Sequence, residues 1–194
     1  DLVSEVMTYN ASQGKPAYAA IINRLDRPVS GLVLIAKNKS AAAKYSTLMQ
    51  KEGGFNKQYE ALICGKLSEL KGTFVDYLKK DGRTNTSAIV PADDAANDKE
   101  AKLSKLEYEV ISYDEVKDIT HVRIHLITGR HHQIRVQFAS RRHPLVGDYK
   151  YATADCGMDN AVKAVAFKRN QIALCAVSLT VDNKTYSVAP EFLL

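Results

Sequence analysis

The sequence predicts an α+β fold in which strands outnumber helices. Short apolar or alternating segments typical of strands recur along the chain, helical patterns are few, and the two kinds of segment do not alternate regularly. Regular alternation would instead favour a doubly wound parallel sheet. With 194 residues the chain is long enough to bury a substantial core, and we expect residues 1–194 to form a single domain.

The N-terminal part is predicted to contain one helix and one buried strand. Apolar residues recur at helical spacing over residues 2–7, and a polar linker follows over residues 10–16. The uninterrupted apolar run of residues 32–36 predicts a strand that is buried on both faces. The chain is therefore expected to enter the core of the sheet early.

A second helix is predicted over residues 41–51. Asn38 or Ser40 can cap its N-terminus, and Gly53-Gly54 ends the helical pattern. The following segment, residues 58–64, predicts the next strand.

Strand patterns dominate the rest of the chain. Residues 79–100 have no convincing period and are predicted to be mostly loop. A helix is expected around residues 160–169. The predicted strands, which include two hairpins, cover residues 71–78, 106–110, 122–126, 172–181 and 185–188.

The composition is that of a globular protein with a modest basic excess. No apolar run approaches the ~20 residues that cross a bilayer, so we expect a soluble protein. The net charge of +5 permits binding to a polyanion. Three cysteines without CxxC spacing indicate neither a disulfide framework nor a zinc ribbon. With no signal-peptide pattern at the start, a cytoplasmic location is predicted.

An aspartate lies between two arginines immediately before a predicted turn. Asp26 is flanked by Arg24 and Arg27, and residues 28–31 are typical of a tight turn. The arginines favour an ionised carboxylate, and the turn can hold it at the rim of a sheet where a ligand reaches it. An alternative is a structural ion pair between Asp26 and either arginine.

A second group of polar residues follows a predicted strand much later in the chain. Residues 126–137 run from the strand through a turn at Gly129 into a short helix rich in hydrogen-bond donors. A cluster of basic residues continues over residues 141–151. Taken alone, this arrangement could form an anion site at a helix N-terminus.

Together with the segment Lys57-Gln58-Tyr59-Glu60-Ala61-Leu62-Ile63-Cys64-Gly65, these two groups resemble the RluA-type pseudouridine synthases. The three segments occur in the family's order, and the resemblance runs from Leu2 to near Pro190. It implies a mixed, mainly antiparallel central sheet with an active-site cleft across it. It also implies isomerisation of uridine to pseudouridine in structured ribosomal or transfer RNA, without a cofactor. The strands that normally precede the aspartate motif in the family are not seen in this sequence.

The resemblance maps three catalytic residues onto the chain: Asp26, Tyr59 and Arg135. Asp26 corresponds to the catalytic aspartate, Arg135 to the arginine that pairs with it, and Tyr59 to the active-site tyrosine. Considered as residues alone, Tyr59 could belong to the core and Arg135 could contact a phosphate. Addition of Asp26 to the sugar, its addition to the base and elimination through a glycal all remain open.

RNA contacts are expected from a set of mostly basic residues. Arg24 resembles the residue proposed to fill the gap that an extruded target nucleotide leaves, although it could instead be a second partner of Asp26. The predicted RNA-binding residues are Arg24, Arg27, Arg130, His132, Gln133, Arg141, Arg142 and Lys150. No metal site is predicted, because adjacent histidines such as those at 131 and 132 diverge on regular elements.

Three positions depart from the family pattern, namely Asn23, Val29 and Cys175. All three catalytic candidates are nevertheless present, so an active enzyme is the leading hypothesis. A non-catalytic RNA-binding or RNA-folding module on the same scaffold is the main alternative. A carboxylate-based glycosidase would need a second catalytic acid, and the Asp26 motif contains none.

Overall fold

The helices of this computed structural model are short, and strands make up most of its regular structure. The structure describes residues 1–51, 54–165 and 171–192. Its helices are α1 (Leu2–Ser12), α2 (Lys39–Gln50), α3 (Ala92–Ala95), α4 (Gln133–Ala139) and α5 (Met158–Ala164). Its strands are β1 (Ala20–Ile21), β2 (Ser30–Gly31), β3 (Ile35–Ala36), β4 (Asn56–Cys64), β5 (Lys71–Asp81), β6 (Thr86–Val90), β7 (Lys102–Asp114), β8 (Ile119–Leu126), β9 (Leu174–Val181) and β10 (Lys184–Ser187).

Eight strands form one large sheet in the order β10-β9-β4-β8-β7-β5-β6, with β2 beside β9. Only the β2–β9 pair is parallel among the strand pairs of the described chain. The strands β1 and β3 form a separate antiparallel pair. The predicted α+β class with a mixed, mainly antiparallel sheet is therefore confirmed. No helix within the described ranges is both long and apolar enough to span a membrane.

The central strand β4 is buried on both faces, because the sheet carries a helix on each side. Ala61 and Ile63 pack in a cluster with Phe138 of α4. Leu62 points the other way and packs with Met158 of α5. Alternation of side chains along a strand explains this division. The face under α4 carries the polar residues described below.

The apolar run of residues 32–36 does not form the predicted strand. Only Ile35–Ala36 and the preceding Ser30–Gly31 pair with neighbours. Between them, the Asn23 side chain donates to the Leu32 carbonyl oxygen (3.0 Å) and accepts from the Leu34 amide (2.6 Å). The amide of a buried side chain thus takes the place of a neighbouring strand, so the apolar run could leave the sheet without losing hydrogen bonds.

The predicted loop over residues 79–100 was also wrong. β5 extends to Asp81 and pairs with β6 in a hairpin, and α3 follows. Lys79 and Lys80 interrupt the apolar alternation at the end of β5, and β6 is a short edge strand, which needs few apolar residues. Lys79 lies within β5 and pairs with Asp98 at 2.8 Å.

The remaining elements agree with the sequence patterns, with shifted ends. α2 matches the predicted second helix, and Asn38 caps it by accepting from the Ala41 amide at 2.8 Å. α1 continues to Ser12 through part of the expected polar linker. The hairpins β7–β8 and β9–β10 are both present. The predicted helix end at Gly53 and the end of the last helix near Arg169 lie outside the described residues.

Gly31 allows β2 to lie directly against β9. Its φ is +118°, and a Cβ atom there would overlap the backbone of Ala176. Residues other than glycine rarely adopt this backbone conformation. The chain therefore depends on a glycine at the point where the Asp26 loop joins the sheet.

Replacement of Gly31 by alanine is expected to destabilise the fold by about 3 kcal/mol, because backbone strain adds to overlap with a neighbouring strand. Gly14→Ala is the matched control, since Gly14 also has positive φ (+64°) but has open space around it. Its cost should be about 1 kcal/mol. Denaturant unfolding measures both, and equal losses would contradict the role given to the β2–β9 approach.

Candidate active site

Two backbone hydrogen bonds hold the loop that carries Asp26, one within the loop and one to the segment that leads into β9. The Val29 amide donates to the Asp26 carbonyl oxygen (2.9 Å), which closes a turn. The Ile172 amide donates to the Pro28 carbonyl oxygen (3.2 Å) just before β9 begins. The Asp26 side chain remains 29% exposed. A carboxylate held this way is both fixed in place and accessible to a ligand.

Arg135 of α4 bridges two carboxylates. Its Nη1 donates to Asp26 Oδ2 at 3.0 Å. Its Nε and Nη2 donate to the two oxygens of Asp148 at 2.6 and 2.8 Å. Such a fork-shaped pair fixes the plane of the guanidinium. The structure thus brings together Asp26 and Arg135, which are 109 positions apart in the sequence.

Asp148 is the partner that the sequence did not reveal. It is 1% exposed and Arg135 is 5% exposed, so this ion pair is buried. Burial opposes the charge on Arg135, but the hydrogen bonds and charges of Asp148 and Asp26 outweigh it and raise the pKa of Arg135. Asp148 lies in the basic cluster of residues 141–151. Its position directly after Gly147 was the only sequence feature that could have pointed to it.

His132 faces the same carboxylate oxygen of Asp26 that Arg135 binds. Its Nε2 lies 3.5 Å from Asp26 Oδ2, and its Nδ1 lies 2.6 Å from the hydroxyl of Tyr151. That hydroxyl accepts from the Ser87 amide at 2.8 Å, which leaves its own proton for Nδ1. We infer that the hydrogen-bond network selects the tautomer with the proton on Nε2, toward Asp26. Tyr151 also lies over the Arg135 guanidinium, at 5.1 Å.

His132 is neutral at physiological pH. Burial and the charge of Arg135 lower the pKa of His132 to about 4, although the charge of Asp26 opposes the change. Its predicted role at an exposed RNA contact is not supported by its position, because it is 9% exposed and lies within the Asp26 group.

The adjacent histidines stack on each other instead of diverging. The rings of His131 and His132 lie 3.8 Å apart at 26°. Regular helices and strands would separate them, but His132 has positive φ (53°) at the N-cap of α4. Ser87 of β6 holds the outer ring, with its hydroxyl 2.9 Å from His131 Nδ1. The segment that sequence patterns assigned to a loop therefore supplies Ser87 to the site.

Tyr59 of β4 lies on the same face of the sheet and is 8% exposed. It packs in the cluster that also holds Leu25. Burial, followed by the charges of Asp26 and Cys175, raises the pKa of Tyr59 to about 12. The Tyr59 phenol is therefore protonated at neutral pH. Leu25, which precedes Asp26 in the chain, packs against this cluster and so brings the Asp26 loop to the Tyr59 side of the sheet.

Arg24 and Arg27 are both exposed. Neither forms an ion pair with Asp26 within the described part of the chain, so the alternative of a local structural salt bridge is not realised. Asp26 instead pairs with an arginine from a distant helix. The two flanking guanidinium groups remain available for an external anion.

Two predicted RNA-binding residues support the protein itself. Gln133 is 3% exposed and links the Arg130 amide and the Thr128 hydroxyl to the Lys105 carbonyl oxygen. Arg141 donates to Asp76 Oδ1 at 3.1 Å and lies 4.0 Å from the Phe74 ring centre. Gln133 is therefore used inside the protein, whereas Arg141 is held by an ion pair but keeps 33% of its side chain exposed.

The other three predicted RNA-binding residues lie at the surface. Arg130 uses Nε to bind the Leu103 carbonyl oxygen at 2.9 Å. Lys150 donates to the Asn85 carbonyl oxygen at 2.9 Å, at the turn of the β5–β6 hairpin. Arg142 has positive φ (66°) and is exposed. Arg130 and Lys150 therefore also tie loops together, whereas the side chain of Arg142 points into solvent.

The three departures from the family pattern lie along the support of the Asp26 loop. Asn23 binds the backbone at residues 32 and 34, as described above. Val29 packs against the main core cluster. Cys175 is buried and pairs with Ser30 in the β2–β9 ladder. Each is accommodated by packing or hydrogen bonding.

Comparison with known proteins decides the family. The model of the RNA pseudouridylate synthase family matches residues 1–140. The chain belongs to this family. The resemblance to RluA-type pseudouridine synthases is thereby confirmed.

Several relatives of this pseudouridylate synthase chain are named for the large ribosomal subunit. It is 36% identical over 135 residues to ribosomal large subunit pseudouridine synthase D of Blochmanniella floridana, covering 69% of this chain and 38% of that protein. The corresponding protein of Vibrio vulnificus is 30% identical over 181 residues, covering 90% and 51%. The uncharacterized RNA pseudouridine synthase YjbO of Bacillus subtilis is 31% identical, covering 77% and 50%. The chain spans about half the length of these relatives or less.

Solved structures share the fold of this pseudouridylate synthase chain. Human RNA pseudouridylate synthase domain containing 1 has a TM-score of 0.70 at 24% identity, covering 90% of this chain and 69% of that one. Human RNA pseudouridylate synthase domain containing 4 has a TM-score of 0.74 at 16% identity, covering 98% and 78%.

The Asp148→Asn substitution is expected to lower the free energy of unfolding by about 3–5 kcal/mol, because it leaves a buried guanidinium without its main partner. Asp26→Asn should change it by less than about 1 kcal/mol, since that carboxylate is partly exposed and makes one bond. Urea titrations of both variants provide the measurement. A stability loss at Asp148 no larger than at Asp26 would show that Arg135 does not depend on Asp148.

The free energy of unfolding should fall on acidification because of His132. The unfolded chain binds a proton near pH 6.5, whereas the folded protein resists that proton down to about pH 4. The free energy of unfolding therefore has its full value above pH 6.5. Because of His132 it decreases by up to about 3 kcal/mol as the pH falls toward 4.

The difference in stability between wild type and His132→Gln, measured in urea from pH 7 to 4, isolates this effect. The variant should lose less stability on acidification than the wild type. His131 remains in both proteins and contributes in the same direction, because burial also lowers the pKa of His131. Parallel curves would disprove the role of His132.

Proposed function

We propose that this chain forms a catalytic domain that isomerises uridine to pseudouridine in RNA, with Asp26 as the nucleophile. The supporting observation is the state of the Asp26 carboxylate. Oδ2 is engaged by Arg135 and faces His132, whereas Oδ1 has no hydrogen-bond partner among the described residues. One oxygen thus orients the group and the other is free to react.

The reaction requires no net addition or removal of atoms. The bond from N1 to C1′ breaks, the uracil turns, and a bond forms between C5 and C1′. The proton on C5 is released and N1 gains one, so the product is an isomer. Positive charge develops at the sugar when the first bond weakens, and a carboxylate is the group that glycosidases use to meet such charge. Asp26 Oδ1 has this role here.

Arg135 and His132 prepare the carboxylate in complementary ways. The positively charged guanidinium binds Asp26 Oδ2 and fixes the orientation of the carboxylate. The neutral imidazole offers one hydrogen-bond donor without adding a second full charge. Neither residue needs to change its protonation state during the reaction, so the site is ready before RNA arrives.

The ring of Tyr59 provides a surface on which the uracil stacks. The Tyr59 ring is mostly buried in the cluster against which Leu25, the residue before Asp26, packs, and an aromatic face suits a pyrimidine. Its raised pKa keeps the hydroxyl protonated, so Tyr59 donates a hydrogen bond or stacks. A nucleotide in a helix must leave its stack to reach such a site, and exposed Arg24 is positioned beside Asp26 in sequence to occupy the gap.

Ribosomal RNA of the large subunit is the substrate class we propose, because several relatives carry that activity in their names. Exposed Arg27 and Arg142 are then candidates for phosphate contacts. The reduced cytosol, where such RNA is found in bacteria, fits three free cysteines.

Two other functions make different predictions. An RNA-binding or RNA-folding module on this scaffold needs the basic surface but not an oriented carboxylate. A glycosidase needs a second acid that can transfer a proton, whereas Asp148 is buried and fully paired with Arg135. The geometry therefore favours the isomerase.

The Asp26→Asn substitution should reduce pseudouridine formation at least about a thousandfold, because the amide cannot act as a nucleophile. Affinity for RNA should change less than about threefold, since the loop and basic residues remain. Release of tritium from C5-labelled uridine in a large-subunit ribosomal RNA transcript measures turnover, and filter binding measures affinity.

Mapping of pseudouridine in total RNA complements this assay in cells. A site that disappears when the gene is deleted, and returns with the wild type but not with Asp26→Asn, supports the proposal and identifies the substrate. An unchanged map together with intact RNA binding would support the non-catalytic module instead.

A further inference from the structure

Lys57 lies on the active-site face of β4, next to Tyr59. Side chains two positions apart point to the same side of a strand and are separated by about 7 Å. Both residues pair with β9, and the register shift between Gln58 and Tyr59 leaves one extra residue, Val177, on β9, so β4 itself has no inserted residue to break the alternation. The Nζ atom lies between α2, where it is 3.8 Å from Met49 Sδ, and the turn at Gly129.

The Lys57 cation has no carboxylate partner within the described ranges. Its Nζ has one recorded contact there, the weak acceptor Met49 Sδ. Burial lowers the pKa of Lys57, and no neighbouring acid compensates. Other lysines differ: Lys44 and Lys71 pair with Asp182 and Glu109 at 2.8 Å. A partly buried, unpaired ammonium destabilises the free protein, which favours a function that needs its charge.

The turn opposite Lys57 leaves space for this ammonium group. A Cβ at Gly129 would be 3.4 Å from Nζ, so any larger side chain would crowd it. The side chains of Gln133 and Thr128 bind backbone atoms and hold the turn in place. Lys57 therefore lies between α2 and the turn at Gly129, with its ammonium group on the same face of β4 as Tyr59.

We propose that Lys57 binds a backbone phosphate of the nucleotide next to the target uridine. The inference rests on the proposed function, since it takes RNA as the ligand. A compact ammonium is a good partner for a phosphate oxygen, and RNA supplies a phosphate on either side of every nucleotide. A uracil stacked on Tyr59 would bring one of these phosphates within reach of Lys57, whose side chain is about 7 Å from that of Tyr59 along the strand.

The test compares Lys57→Met with Lys71→Met. Both remove one positive charge and keep a long side chain, but Lys71 carries its charge in a surface ion pair with Glu109. Dissociation constants for a large-subunit ribosomal RNA transcript are measured over a range of KCl concentrations. For Lys57→Met, the slope of log affinity against log salt should become shallower by about 0.7–0.9, the value for one lost phosphate contact. For Lys71→Met it should not change.

Turnover and stability complete the test. Lys57→Met should raise KM about tenfold with kcat within about twofold, and its melting temperature should equal or exceed that of wild type, because a buried charge is removed. Lys57→Arg should retain the wild-type salt slope. An unchanged slope in Lys57→Met, or a slope loss equal to that of Lys71→Met, overturns the phosphate contact.

Failure of the proposed function gives a different result. If the wild-type protein binds the transcript but releases no tritium, the isomerase proposal fails, while the salt slopes still decide whether Lys57 contacts a phosphate. If wild type is active and the slopes coincide, only the Lys57 proposal fails.

Discussion

A single guanidinium, shared between a buried carboxylate and an accessible one, is the interaction on which this site depends. Arg135 is bound at both oxygens of Asp148 and reaches Asp26 with the remaining nitrogen. The buried pair holds the arginine rigidly, and the arginine in turn orients the Asp26 carboxylate. Two carboxylates around one cation leave a net negative charge, which suits the role proposed for Asp26 beside a developing positive centre.

The polar layer around this ion pair is assembled from segments far apart in the chain. The loop before β2, the hairpin strand β6, the start of α4 and the loop before α5 each contribute one or more groups. The hydroxyl of Tyr151 connects Ser87 to His132, so the edge hairpin is coupled to the residue that faces Asp26. Buried polar networks of this kind are stable only when their members are satisfied.

Much of the site was recognisable in the sequence, because its residues occur in compact motifs. Asp26 within its Arg-Leu-Asp-Arg string and Arg135 within its helix were predicted to meet, and their side chains lie 3.0 Å apart. Asp148 and Ser87 were missed for different reasons. Asp148 lacks a distinctive neighbour that marks it as buried, and Ser87 belongs to a five-residue edge strand within a mostly polar segment that has no clear period.

The sequence by itself determined the fold class, the family and the pairing of Asp26 with Arg135, because periodicity and motif order can be read directly along the chain. Tertiary structure alone decided that Asp148 is the main partner of Arg135, that His132 is neutral and which basic residues are used internally. Those outcomes depend on burial and on distances between groups that are far apart in sequence. His132 illustrates the difference, since a left-handed backbone conformation and a buried environment turn an apparent RNA contact into a neighbour of Asp26.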